Sequence, residues 1–346
     1  MSEPSGKGAV IYASASNGVH DRRWVEALRA CGFEVTVLSA SGDLRASVAA
    51  FQPLSAPVLA GPLNSVTKSL VGLSRPVIGL SWGYDLQQGH SQAVPLEAMA
   101  WLSGLDGLVV DSPVTRDLAI ALGLGSERVV LIPWGVDLEL FTPDGPAVSA
   151  AAHGFAHGSR VVLSLRTHDT IYRTSDVIEA FARAALADPV LMLVLGGDGP
   201  LTPAHRARVN ELGLEPRVRF IGRVDESELP ALLRGTDLYV TASETDGTSV
   251  TLLQAMACGA PIVASANAGN AQWITDGLTG HTFTVGDIDA LAALLVICGR
   301  NPKTLSEAAS ALELVARQAD WLKNRLKLCT ILAPLDSTSV SGQRGL

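Results

Sequence analysis

From residue 9 to residue 264 one unit keeps recurring: four or five residues rich in Val, Ile and Leu, then a longer stretch with helical apolar spacing. Short runs that are apolar at every position, rather than alternating, suit strands covered on both faces, and their regular exchange with helices is the pattern of parallel sheets. In the first half the strand candidates are 9–12, 34–38, 57–60, 77–81, 108–111 and 129–132. In the second half they are 161–165, 191–195, 218–221, 238–241 and 261–264. Between the two sets, "FTPDGPAVSAAAHGFAHGSR" has Pro, Gly and small residues but no apolar periodicity, and reads as a linker. The expected fold is therefore α/β, with two doubly wound, Rossmann-like domains at 1–145 and 146–320 and a C-terminal helix and frayed polar tail at 321–346. The cleft between such domains is the default site. In open parallel sheets ligands sit beyond the carboxyl ends of the strands, so the loops that leave the strands are where chemistry is sought.

With 346 residues, 47% of them hydrophobic, the chain can bury two cores. A net charge of -8 without any cluster of Lys or Arg argues against a nucleic-acid surface or a polybasic membrane patch, although peripheral membrane contact is left open. No apolar run is long enough to span a bilayer, and the expectation is a soluble, cytoplasmic protein. Cys31, Cys258, Cys298 and Cys329 are scattered without C-x-x-C pairing or His at ligand spacing. They read as reduced, mostly buried thiols, with neither a zinc site nor a disulfide framework indicated.

The strand "DLYVTAS" runs into "ETDGTSVTLLQAMACGAP". Thr248 and Ser249 suit the cap of an apolar helix, and Gly247 lets the backbone approach a ligand, so the free N–H groups at the helix start form a site for an anion such as phosphate. The same letters also make a good turn and cap with no ligand. Asp246 and Gln254 are eight apart, slightly over two helical turns, which places both near one side.

"DGTSVTLLQAMACGAPIVAS" resembles the signature of retaining glycosyltransferases of family 4, in which two glutamates separated by seven residues precede "AMACG-PVVAS". Asp246 stands in the first acidic position and Gln254 in the second. The resemblance extends through "VLIPWGVDLELFTPD", "VLMLVLGGDGPL", "RVRFIGRV" and "ANAGNAQWITDGLTGHTFTVGD", covering about residues 107–289 well and the N-terminal part loosely. It implies the two-domain GT-B fold and transfer of a hexose from a nucleoside-diphosphate sugar of UDP or GDP type to a small-molecule or glycan hydroxyl, as in carbohydrate or natural-product biosynthesis. It further implies retained anomeric configuration, with neither a metal nor a cofactor besides the donor.

By the same resemblance Gly247, Thr248, Ser249 and Val250 hold the donor diphosphate, Asp246 contacts the transferred sugar, and Gln254 takes the place of the acid that grips the ribose. Glutamine can bond a diol, but without charge assistance. Arg166 matches the arginine that neutralises the leaving diphosphate. The usual lysine falls near Tyr172 and Arg173, so Arg173 is the substitute cation. Gly222, Arg223 and Val224 of "FIGRV" are expected against the base. On the acceptor side Gly18 and His20 follow the first strand, "LAGPLNS" around Gly61 gives another loop, Trp82 stands where a histidine is common, and Asp85 keeps its place as a catalytic candidate. His20, His90 and His168 are more often surface or packing histidines than catalytic ones. "LGGDGP" lacks the G-x-G-x-x-G helix start of a dinucleotide site, and Asp287 or Asp289 of "GDIDAL" is expected to cap a helix rather than bind a metal. The alternatives are an epimerase or phosphorylase on the same fold, or a non-catalytic sugar-nucleotide-binding partner subunit.

Overall fold

The computed structural model describes residues 7–15, 18–39, 43–88, 93–300 and 305–336, so His90 and the tail beyond 336 lie outside the described residues. The chain falls into two compact units, the first of residues 7–88, Ala93–Pro133 and 322–336, the second of Trp134–Trp321.

In the first unit six strands, β1 (Lys7–Ser14), β2 (Phe33–Ser39), β3 (Val58–Gly61), β4 (Val77–Leu80), β5 (Gly107–Val110) and β6 (Val129–Leu131), form one parallel sheet in the order β2-β1-β3-β4-β5-β6. Its helices are α1 (Val19–Ala30), α2 (Leu44–Ala50), α3 (Ser65–Leu70) and α4 (Pro113–Ala121). The second unit repeats the plan with β7 (Arg160–Leu165), β8 (Leu191–Gly196), β9 (Val218–Gly222), β10 (Leu238–Thr241), β11 (Ile262–Ser265) and β12 (His281–Phe283), in the order β12-β11-β10-β7-β8-β9. Here the helices are α5 (Thr174–Ala187), α6 (Thr202–Glu211), α7 (Leu229–Arg234), α8 (Val250–Ala257), α9 (Ile288–Arg300) and α10 (Leu305–Gln318). α11 (Trp321–Asn324) and α12 (Lys327–Asp336) follow.

All eleven strand candidates are strands, with no end moved by more than two residues. The continuous apolar runs have the cause inferred for them. Along β7, Val161, Leu163 and Leu165 enter one core layer while Val162 enters the other; along β10, Tyr239 goes one way and Leu238 and Val240 the other. Each of these side chains contributes about 1.5–3 kcal/mol by leaving water. β12 was not foreseen, because "HTF" is three residues long and opens on a histidine.

The first unit gives way to the second after Pro133, ahead of the expected boundary at 145. Val136 and Phe141 belong to a core cluster of the second unit, Val136 N donates to Ala319 O at 2.7 Å, and Trp134 stacks on Trp321 with ring centroids 5.7 Å apart. The supposed linker is likewise fixed: Val148 N donates to Ala231 O at 2.9 Å and Arg234 Nε to Pro146 O at 2.7 Å. Backbone bonding leaves no apolar period to read. At the other end, 322–336 joins the first unit, and the start of the supposed tail is helical in α12.

The cysteine reading is corrected in part. Cys258 and Cys298 are free and buried, and burial pushes both thiols up to about 11. Cys31 at the end of α1 and Cys329 in α12 are joined in a disulfide across 298 residues, a separation at which sequence gives no sign of pairing. Among the described residues no helix is long and apolar enough to cross a membrane.

Candidate functional site

In the second unit the loops leaving β7, β10 and β11 converge on Arg166, one residue past β7. Its Nε donates to Thr241 Oγ1 at 3.1 Å, at the end of β10. Its Nη2 donates to Asp246 Oδ2 at 2.7 Å and to Ser249 Oγ. The guanidinium lies 5.3 Å from the centre of the Tyr172 ring. Burial works against the charge of Arg166, but the carboxylate of Asp246 together with Tyr239 and Tyr172 turns the net shift of its pKa upward. Nη1 is left without a protein partner among the described residues, so the anchored guanidinium presents one free edge. An arginine fixed in this way offers a planar pair of donors to an anion at little entropic cost.

The loop that carries Asp246 is itself held from both sides. Glu244 N donates to Ile171 O at 2.8 Å, tying it to the loop after β7. From the loop after β11, Ser265 Oγ and Asn267 Nδ2 both donate to Ser243 O, at 2.7 and 3.0 Å, while Asn270 Nδ2 donates to Ser265 O at 2.8 Å. Gly269 closes the grip, since a Cβ there would lie 2.1 Å from Gly247 O and 2.3 Å from Asp246 O. Only glycine permits that approach. The serines, the asparagines, Thr241 and Tyr172 escaped the sequence reading, although hydroxyls directly after an apolar strand were a usable sign.

Ser249 is the N-cap of α8, accepting from Leu252 N at 3.3 Å, and Val250 is the first helical residue. Gly247 is buried just ahead of the cap. Thr248 is 5% exposed, and its hydroxyl is enclosed without a hydrogen-bond partner. A buried orphan donor beside the free N–H groups of a helix start is the arrangement an anion completes. The spacing argument for Asp246 and Gln254 is corrected: Asp246 lies four residues ahead of the helix, in the loop, so helical turns do not relate the two. Gln254, on α8 and 7% exposed, makes no side-chain hydrogen bond among the described residues.

The other candidates divide. Arg173 is not part of the Arg166 group; it adopts a left-handed backbone (φ 48°) at the cap of α5 and its Nε is turned back to Asp176 at 2.7 Å. Gly222 ends β9, and its carbonyl accepts from Gly197 N at 2.6 Å; Arg223 is exposed and Val224 half-buried against the core. His168 is a packing residue: its Nδ1 lies 2.8 Å from Thr202 Oγ1, and its ring meets that of His205 edge-on at 5.1 Å. Burial lowers the pKa of both, His205 to about 4. Asp287 caps α9 by accepting from Ala290 N at 2.9 Å, while Asp289 pairs with Arg183. Among the described residues no group of three or more His, Cys, Asp or Glu is placed to hold a metal ion.

In the first unit the Asp85 carboxylate accepts from Ser81 Oγ at 2.6 Å, Leu63 N at 2.9 Å and Trp82 N at 3.1 Å. Burial raises its pKa against the pull of these donors. These bonds make Asp85 a bracket joining the loops after β3 and β4. Gly18 caps α1, with its N–H donating to Asp21 Oδ2 at 2.7 Å. His20 lies on α1 with its ring 5.2 Å from that of Trp82.

Residues 148–309 match the model of the family described as glycosyl transferases group 1. The D-inositol 3-phosphate glycosyltransferase of Mycobacterium tuberculosis is 30% identical over 215 residues, which are 59% of this chain and 44% of that protein. The chain therefore spans less than half the length of this relative. In structure it is similar to HepE of Anabaena, solved with UDP and glucose, with a TM-score of 0.74 and 19% identity over 94% of this chain and 100% of that one. Sucrose-phosphate synthase from Thermosynechococcus elongatus gives a TM-score of 0.75 at 19% identity, covering 96% of this chain and 100% of its own. At such identities the likeness is one of fold. Fold and sequence together set this chain among the relatives of glycosyl transferases group 1, on the GT-B architecture.

Proposed function

We propose that the protein transfers a sugar from a nucleoside-diphosphate donor to an acceptor hydroxyl, with retained anomeric configuration and without a metal. The observation that carries this reading is that Arg166, with its Nη1 edge free among the described residues, is anchored by Ser249, the N-cap of α8, and that the neighbouring Thr248 hydroxyl is unpartnered. Together with the free N–H groups of α8 they suit the two phosphates of a leaving diphosphate. In the proposed step the C1–O bond to the diphosphate breaks and the acceptor oxygen bonds C1 on the same face, its proton passing to the departing phosphate oxygen. Preformed donors aimed at that oxygen lower the barrier, because they need not reorganise as charge builds up.

Asp246 Oδ2 accepts from Arg166, and this carboxylate is assigned to hydroxyls of the transferred sugar. Gln254 is assigned to the ribose, and Gly222, Arg223 and Val224 to the base. HepE holds UDP and glucose, which makes UDP-glucose the first donor to try. The test is calorimetric titration with UDP and GDP, followed by release of UDP from UDP-glucose with and without acceptor. Micromolar UDP binding with acceptor-dependent release is expected. Absence of nucleotide binding overturns the proposal, and binding without turnover would reduce the protein to a sugar-nucleotide binder.

A further inference from the structure

The carboxyl edge of the first sheet carries an aromatic corner that the diphosphate chemistry does not use. Trp82 lies two residues past β4 and is half-buried. The half-buried ring of His20, from the first turn of α1, stands against it at 5.2 Å with the planes 53° apart, giving two walls that meet at an angle.

The corner is fixed. Asp85 accepts from the Trp82 amide at 3.1 Å and from Ser81 Oγ at 2.6 Å, and its bond to Leu63 N couples this loop to the one after β3. Gly61 ends β3 beneath the indole: a Cβ there would lie 2.7 Å from Leu80 Cβ and 3.4 Å from Trp82 Nε1. The indole N–H is enclosed on that side without a hydrogen-bond partner among the described residues, an unfavourable state for a buried donor. A tryptophan held rigidly with its polar edge unsatisfied is held for its face.

We propose that Trp82 and His20 form a platform for the acceptor, and that the acceptor is a ring polyol, a pyranose or a cyclitol, lying face-on against the indole. The inference rests on the glycosyl-transfer reading above. The chemistry of the match is general. A pyranose or cyclitol ring has one face of C–H bonds whose positive hydrogens meet the negative face of an aromatic ring, while its hydroxyls stay at the rim in water. An open-chain polyol has no such face, and a rigid platform binds a rigid ring without ordering either partner.

The test is direct binding, read by saturation-transfer NMR and titration with methyl β-glucopyranoside, myo-inositol and open-chain sorbitol on the full chain. Both rings are expected to bind in preference to sorbitol, with saturation concentrated on C–H hydrogens of one face. Trp82→Leu should weaken ring binding at least tenfold, and Trp82→Phe, which restores a flat face, should recover it to within a few-fold. Equal binding of ring and open-chain polyols, unchanged binding in Trp82→Leu, or a Trp82→Phe variant as weak as Trp82→Leu would each overturn the proposal. If Trp82→Leu does not fold, His20→Leu removes the second wall, and a threefold or larger loss is expected there; no loss overturns the proposal. Titration of the wild-type chain with UDP reads the donor site separately, so failure of the platform and failure of the glycosyl-transfer reading are distinguishable.

Discussion

Arg166 and Asp246 lie 80 residues apart in sequence and 2.7 Å apart in space, and the bond between them sets the orientation of the one guanidinium edge left for a ligand. With Thr241 and Ser249 holding the same side chain, the loops after β7 and β10 share a single anchored cation.

That anchoring predicts that charge alone is not sufficient at position 166. Arg166→Lys keeps a cation but loses the fork that reaches Thr241, Asp246 and Ser249 together. Donor turnover at saturating UDP-glucose should fall about a hundredfold, near the loss from Arg166→Ala. A lysine variant with near-normal turnover would show that only charge matters there.

Asp246→Asn separates the two roles of the carboxylate. It removes the negative charge beside the proposed diphosphate site and weakens the hold on a half-buried arginine, so fold stability should drop by about 1–3 kcal/mol. Transfer should fall while binding of free UDP is kept or tightened, as measured by calorimetry beside a melting curve. Weaker UDP binding would mean that Asp246 serves the diphosphate by organising the loop.

Tyr172 supplies a ring face to Arg166, and its hydroxyl has no part in that contact. Tyr172→Phe should therefore behave like the wild type. Tyr172→Leu should lose up to about tenfold in turnover, the scale of a partly buried cation–ring contact. Steady-state kinetics on the two variants, compared at equal expression and melting temperature, decide the point.

Among the described residues the Gln254 side chain has no hydrogen bond to lose. Gln254→Glu should tighten nucleotide binding about tenfold, because hydrogen bonds from a ribose diol to a carboxylate are the stronger kind. The same carboxylate is poorly solvated in the empty protein, so the melting temperature without nucleotide should fall and recover on its addition. A fall that nucleotide does not restore would remove Gln254 from the ribose.

The buried pair His168 and His205 sets a pH dependence. His205 titrates near 4 in the fold against an ordinary 6.5, and His168 is lowered as well, both chiefly by burial. Between those values the unfolded chain binds protons that the folded chain does not. Their contribution to stability is thus complete above about 6.5 and lost as pH falls towards 4. Denaturant melts from pH 7 to pH 4 should show this loss, and His205→Gln should flatten it.

The sequence carried the fold well, because burial on both faces of a parallel sheet leaves a mark at every strand position, as along β7 and β10. It carried the helix start at Ser249, marked by its own local letters. It did not carry relationships that are made only in space. Tyr172 reads as a missing lysine until its ring is seen on Arg166; Asp85 reads as a free acid until three donors are seen on it; Asp246 and Gln254 read as helical neighbours until the loop between them is seen. The boundary at Pro133 was hidden for a similar reason, since backbone bonds such as Val136 to Ala319 use atoms that every residue has.

The bond between Cys31 and Cys329 gives the molecule a further property. The second unit is inserted between two segments of the first, and the disulfide joins those segments on either side of the insertion. The covalent path from Cys31 out through the second unit and back to Cys329 is therefore a closed ring, and the whole sheet that carries Arg166 is threaded on it. Cutting one peptide bond anywhere in that unit would open the ring without dividing the molecule. Reduction of one sulfur–sulfur bond would then release two pieces, so non-reducing and reducing gels of a nicked sample report different masses.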